Sequence, residues 1–249
     1  MSLRRLLDEP GATTVEEEVG RLGLVDLAHG DRPYVVTNFV VTADGRATLQ
    51  GRSGPIGSSI DTAMLVALRA VADAVMIGAG TMRAERYGRA LKDPAKRAAR
   101  ERNGLEPDPL MVLVSGRLDL PWDAPLFTEG GGHVVVFTAS AAEAPSTATP
   151  VEVVRHPDGV DLADALRHLR AEHGVRALLC EGGPHLHGNL IRADLVDELF
   201  ITLAPKLGGG EGPGLASGLP EHERPLELKA LLEADGELFA RYGFVAQTP

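Results

Sequence analysis

Glu181, Gly182 and Gly183 stand between a nearly unbroken apolar run, residues 175–180, and Pro184, which opens a helical pattern. This arrangement can hold a phosphorylated ligand. A helix N-terminus offers N–H groups and the positive end of a dipole. Adjacent glycines let a ligand approach the backbone, and a carboxylate at the rim accepts hydrogen bonds. Proline costs nothing at that position, because its N–H would have no intrahelical partner. An ordinary tight strand-to-helix connection explains the same residues, and spacing alone leaves the two readings level. Residues 74–77 run into Gly78-Ala79-Gly80-Thr81 and repeat the design. That second junction is not the dinucleotide fingerprint, since Arg83 occupies the place of the third glycine. Two such junctions on one edge of a parallel sheet would supply two backbone cradles, as a phosphorylated dinucleotide requires.

Other residues are candidates with a plainer reading beside them. Asp44 follows a β-rich run, residues 34–41, in Thr42-Ala43-Asp44-Gly45-Arg46. It reads as a turn former or a site carboxylate, and the local pattern favours the turn former. Arg69 falls near the end of a helical pattern over residues 59–71, where a cation suits the dipole and forms a surface salt bridge. Residues 86–103 are strongly basic and read as a solvated loop and helix, with Lys92 the cation to watch for a phosphate-bearing substrate. His185 and His187 lack a partner set with zinc-ligand spacing, so they read as polar residues lining a cleft, and no metal site is assigned. Cys180, the single cysteine, reads as a small core residue. No Gly-x-Ser-x-Gly elbow or Walker loop is present.

The elements that must position these groups alternate. Strand patterns recur at 34–41, 74–77, 110–114, 134–137, 151–154, 175–180 and 197–204, with helices at 59–71, 161–173 and from Pro184. A Gly-rich connection, residues 205–218, reads as mobile, and two runs around Asp235-Gly236 read as a terminal hairpin. The expectation is an α/β fold: a mostly parallel central sheet flanked by helices, with a C-terminal antiparallel hairpin. Residues 1–30 read as an arm bearing one short helix, and 31–249 as a single unit. With 249 residues, 44% of them hydrophobic, the chain can bury a sizeable core. A net charge of −10 argues against binding a nucleic-acid backbone. Neither a membrane-spanning apolar run nor a signal-peptide pattern is present, so a cytoplasmic location is expected.

Four segments together resemble a known family. They are RPYVVTNFVVTADGRAT (32–48), LRAVADAVMIGAGTMRAE (68–85), LVSGRLDLP (113–121) and LLCEGGPHLHGNLIRADLVDELFITLAPKLGGG (178–210). In that order they are similar to the pyrimidine reductases of riboflavin biosynthesis, over about residues 32 to 245. The resemblance implies a dihydrofolate-reductase-like fold and NADPH-dependent reduction of 5-amino-6-(5-phosphoribosylamino)uracil to its ribityl product. It also implies a stand-alone reductase and a homodimer. By motif match it assigns the cofactor to Thr81, Glu85, Ser115, Gly183, Pro184, His185, Leu186, His187, Gly188 and Asn189. It assigns the substrate to Ser53, Arg69, Lys92 and Glu181, and makes Asp44 and Glu181 the candidates for moving a proton. Three features depart from the family pattern: Glu85 replaces an aspartate, RYGRALK replaces an Asp-Pro-x-Leu-Thr-like run, and histidines stand at 185 and 187. Two alternatives therefore stand beside the main reading. One is a dihydrofolate or other pterin- or pyrimidine-like reductase, and the other is a nucleotide-binding protein without turnover.

Overall fold

The computed structural model describes residues 2–7, 10–28, 30–221 and 223–245. Its elements run β1 (Ser2–Arg5), β2 (Gly11–Thr14), α1 (Val15–Gly20), β3 (Tyr34–Thr42), α2 (Ser59–Val71), β4 (Ala74–Gly78), α3 (Ala79–Glu85) and α4 (Pro94–Arg102). They continue with β5 (Leu110–Val114), α5 (Pro125–Thr128), β6 (Val134–Thr138), β7 (Val151–Arg155), α6 (Leu162–His173) and β8 (Ala177–Gly182). The last are α7 (Pro184–Arg192), β9 (Glu198–Ala204), β10 (Leu226–Ala234) and β11 (Glu237–Phe244).

One sheet takes all these strands in the order β2-β1-β10-β11-β9-β3-β8-β4-β5-β6-β7. From β9 to β7 every pairing is parallel, and β11, β10, β1 and β2 add antiparallel. The central strands are apolar throughout because both faces are covered. Val75, Ile77, Leu113 and Leu179 point to one core, shared with Met64 and Leu68 of α2. Their neighbours Met76, Val112, Leu178 and Cys180 point to the other, shared with α6 and α7. Burial pushes the Cys180 thiol up to about 12, which keeps it an inert core group.

Local signals set the ends of the helices. Ser58 accepts from the amides of Ile60 and Asp61 and caps α2. Asp161 caps α6, which Gly174 ends at φ 64°. Asp235 and Gly236, at φ 50° and 83°, form the turn between β10 and β11, as two residues at positive φ do in a tight hairpin.

Three expectations need correction. The arm carries the expected helix, with its Thr14–Glu17 capping box, but also a hairpin, β1–β2, that extends the sheet through Arg4↔Glu233 and Arg5↔Leu232. Its four-residue strands carry no alternation of their own; the open edge of β10 supplies the pairing. The 205–218 connection is also held down. Ser217 N–H donates to the Pro184 carbonyl at 2.9 Å, and Arg46 Nη1 to the Gly212 carbonyl at 2.7 Å. Gly188 makes this seating possible, since a side-chain carbon there would overlap the Ser217 carbonyl oxygen. Finally, the basic run is not all solvated: Arg100 is 1% exposed. The segment after α3 returns through Tyr87, whose carbonyl accepts from Leu126 N–H at 2.9 Å, beside Trp122 packed on Phe127 with ring centroids 4.7 Å apart.

Candidate active site

A cavity of about 730 Å³ opens at the carboxyl ends of β4, β5 and β8, beside β3. Here successive connections leave the sheet on opposite faces, the place where open α/β sheets receive ligands. Ser53, Thr81, Glu85, Ser115, Glu181, Gly183, Pro184, His185, Leu186 and Asn189 all line it. Most of the expected site thus converges from segments far apart in the chain.

Its buried centre is an ion pair. Glu181 Oε1 accepts from Arg69 Nε at 2.5 Å and Oε2 from Nη2 at 2.6 Å. The Tyr87 hydroxyl donates to Oε2 at 2.9 Å. Burial opposes the charge on Arg69, and Glu181 more than offsets it, so the guanidinium stays protonated. Burial first, then the negative charge of Glu181, pushes the Tyr87 phenol well above its ordinary range. Arg69 Nη1 donates to the Ala90 carbonyl at 3.1 Å. Arg69 stands behind the cavity wall and is committed to holding Glu181, so the surface salt bridge expected of it is a buried one. Glu181 lines the cavity as an acceptor, with both oxygens oriented by the guanidinium.

The two glycine junctions meet directly. Thr81 Oγ1 accepts from Gly183 N–H at 2.9 Å, which ties the start of α3 to the start of α7. Gly182 sits at φ 105°, and a side-chain carbon there would press on the Phe39 ring at 3.0 Å. Only glycine turns the chain here without strain. Glu85 accepts from Ser53 N–H at 3.1 Å and pairs with Arg52 at 3.5 Å, so it anchors the 51–59 loop over the cavity.

Four expected residues lie elsewhere. Lys92 is exposed and outside the cavity wall. Gly188 lies under Ser217, as described. His187 is buried, stacked on Phe39 at 4.4 Å with Nδ1 3.1 Å from the Leu215 carbonyl oxygen, and burial brings it down to about 4. It is a neutral packing group beneath the site rather than part of its lining.

Asp44 is the fourth. Its oxygens accept from the amides of Gly208 and Gly209 at 2.8 Å each and from the Thr42 hydroxyl at 2.6 Å. The Thr42 hydroxyl, then the Gly208 and Gly209 amides, hold this carboxyl far below the usual range. That is the turn-forming role, extended to anchoring the connection after β9. The folded value lies below the unfolded one of about 3.9, so the anchor contributes stability above that value and loses it as the pH falls. Asp44→Asn is expected to lower the thermal midpoint at neutral pH, with the gap to wild type closing below about pH 4. Midpoints measured across that range check it, and two curves that stay parallel into acid would refute the anchor.

Several lining residues carry no sequence signal of their own. Tyr87 and Asp61 belong to a charged loop and to the first turn of a helix. Arg83 and Arg117 also line the cavity, two residues beyond Thr81 and Ser115. The repeated spacing behind the two strand ends was the available clue. Burial, then the charge of Glu237, raises the Asp61 carboxyl, while a hydrogen bond with Thr202 opposes them.

The fold is that of the dihydrofolate-reductase-like enzymes. A pyrimidine reductase-like protein from Corynebacterium diphtheriae shares the fold with a TM-score of 0.77 at 24% identity, over 94% of this chain and 100% of its own. A deaminase/reductase from Thermotoga maritima does so with a TM-score of 0.70 at 23% identity, over 86% of this chain and 57% of its own. The model of the RibD C-terminal domain matches residues 33–238, and the chain belongs to that family. The 2,5-diamino-6-ribosylamino-4(3H)-pyrimidinone 5′-phosphate reductase of Archaeoglobus fulgidus is 33% identical over 192 residues, 75% of this chain and 87% of that protein. Riboflavin biosynthesis protein RibD of Bacillus amyloliquefaciens is 29% identical over 209 residues, 81% of this chain and 53% of that protein. The chain thus spans about half of the RibD relative's length. Membership of a reductase family implies a nucleotide cofactor. Among the described residues no helix is long and apolar enough to cross a membrane.

Proposed function

We propose that this protein reduces the ribosyl group of 5-amino-6-(5-phosphoribosylamino)uracil to ribityl in riboflavin biosynthesis, with NADPH as the reductant. The observation that carries the proposal is the convergence of Thr81, Ser115, Gly183 and Glu181 on one cavity. The residues present fit a dinucleotide. Side-chain carbons on Gly80 and Gly116 would meet nothing within 4 Å, so bare backbone faces open space at both strand ends. The first turn of α7 offers N–H groups to a phosphate, and Arg83 and Arg117 are cations that line the same cavity. Bound there, NADPH would supply the hydride, and the protein's task is position and field.

Glu181 would accept hydrogen bonds from the polar groups of the substrate, oriented by Arg69 and Tyr87. Asp61 lines the cavity and burial raises its carboxyl, so the accompanying proton is assigned to it. A second reading rests on the relative from Archaeoglobus fulgidus, which is named for the diamino pyrimidinone: the substrate would then be the pyrimidine before deamination. The resemblance also implies a homodimer, and the exposed Leu226 and Leu228 on β10 suit such a contact.

NADPH absorbance followed with each of the two pyrimidine phosphates, and with dihydrofolate, tests the proposal. Oxidation with the uracil alone is the expected result. Oxidation with the diamino compound alone transfers the assignment to the second reading, and oxidation with dihydrofolate alone overturns both. NADPH binding without oxidation in any cuvette would mean a nucleotide-binding protein without turnover.

A further inference from the structure

Far from the cavity, at the amino ends of the outer strands, four ligand-type side chains gather from separate parts of the chain. Glu152 is the second residue of the edge strand β7, His133 immediately precedes β6, and His168 and His173 lie on α6. Ligand atoms of Glu152, His168 and His173 all lie within 4.8 Å of one another. His168 Nε2 is 3.3 Å from Glu152 Oε1, and His173 Nε2 is 3.3 Å from Oε2. His133 Nε2 stands 3.9 Å from Oε2.

In a tetrahedral site with bonds of about 2.0–2.2 Å, neighbouring ligand atoms stand about 3.3–3.6 Å apart, and the two 3.3 Å separations, one to each oxygen of Glu152, are of that size. The His173 Nε2 atom is buried and has no hydrogen-bond partner in acceptable geometry. Such an atom normally finds a partner, and an unpartnered imidazole nitrogen beside a second imidazole and a carboxylate is the kind of ligand a metal ion uses. The His168 ring packs edge-to-face with Phe137, with centroids 5.7 Å apart, which restricts its orientation.

The geometry points to a divalent transition-metal site, of the zinc class, formed by Glu152, His168 and His173, with His133 at its edge. Two imidazoles and one carboxylate, with a third imidazole beside them, select zinc, cobalt, nickel or copper over calcium and magnesium, which prefer all-oxygen shells. Its place in the fold gives it a structural role. It clips the edge strand β7 to α6, at the opposite end of the strands from the cavity. Sequence spacing gave no hint, because three segments contribute and the two helical histidines are five apart.

Untagged full-length protein, stripped of metal, would be dialysed against Zn²⁺ alone and, in parallel, against Co²⁺ and Ca²⁺. The expected result has three parts: one Zn²⁺ per chain, a thermal midpoint that rises until that stoichiometry is reached, and the intense visible bands of tetrahedral Co²⁺. The double variant His168→Ala with His173→Ala should weaken binding by about 100-fold or more, beyond the loss from an outer-shell change. The near-isosteric Glu152→Gln should weaken it with unchanged circular dichroism, which separates lost ligation from lost folding. Absence of stoichiometric Zn²⁺ binding, or binding that survives in these variants, overturns the site and leaves a set of histidine–carboxylate contacts. Equal binding of Ca²⁺ also overturns it.

Discussion

Arg69→Ala is expected to cost about 3–5 kcal/mol of stability, as the loss of one partner from a buried pair does. The Glu181 side chain is 3% exposed and that of Arg69 is 14% exposed, so water cannot replace the guanidinium. The variant would leave a carboxylate with only the Tyr87 hydroxyl for support. Removing both charges, Arg69→Met with Glu181→Leu, is expected to recover most of that loss, because no unpaired charge remains. It is also expected to abolish turnover, since the cavity loses its paired acceptors. Urea unfolding of both proteins, beside NADPH consumption, checks the two halves. If the double variant is as unstable as the single one, then packing rather than charge accounts for the cost, and the reading of Glu181 as a pre-charged acceptor falls with it.

Arg100→Ala is expected to be about as damaging, for a different reason. Its Nη1 donates to the carbonyls of Arg69, Ala70 and Ala72 at 3.0, 3.2 and 2.6 Å, and its Nε to the Glu106 carbonyl at 2.7 Å. These include the last carbonyls of α2, which have no acceptor role left inside the helix, at the negative end of its dipole. Burial pulls the guanidinium down and the charges of Asp73 and Asp108 oppose it; an arginine keeps its proton there. Alanine would strand several buried carbonyls and leave a cavity, a loss of about 3–5 kcal/mol. Lysine keeps the charge but not the planar fork, and is expected to recover only part of the loss. Because α2 ends at this clamp and carries Arg69 in its last turn, Arg100→Lys should also raise the KM for the pyrimidine more than it lowers kcat. Chemical unfolding and steady-state rates check it. A stability change within about 0.5 kcal/mol, as for a surface substitution, would refute the clamp.

The sheet was legible because its signals are local. Residues 74–77, 110–114 and 175–180 are apolar on both faces, and Asp235-Gly236 names its own turn. The two glycine junctions, and through them the position of the cavity, were visible for the same reason. What escaped is what depends on contacts across the fold. Arg69 looked like a surface cation because its partner is 112 residues further along the chain. Arg100 looked solvated because the carbonyls that bury it belong to a different helix. Tyr87 and Asp61 carry no motif, and they gain meaning, as do Arg83 and Arg117 behind the repeated strand ends, only where four strands end together. The β1–β2 hairpin borrows its pairing from an edge formed by the other end of the chain. The connection at 205–218 looked mobile from composition, because nothing in its glycines announces Asp44, Arg46 and Pro184 as anchors.

Trp122 is the only indole in the chain. It is half-buried on Phe127, one residue from the Leu126 amide that is bonded to the Tyr87 carbonyl. The phenol of the same Tyr87 reaches Glu181 in the cavity wall. A single fluorophore is therefore wired by one backbone hydrogen bond to the group that supports the acceptor of the site. Indole emission overlaps the absorption of a reduced nicotinamide, so if NADPH binds as proposed, the protein would carry its own donor for energy transfer to it, without a label and without a competing signal from a second tryptophan.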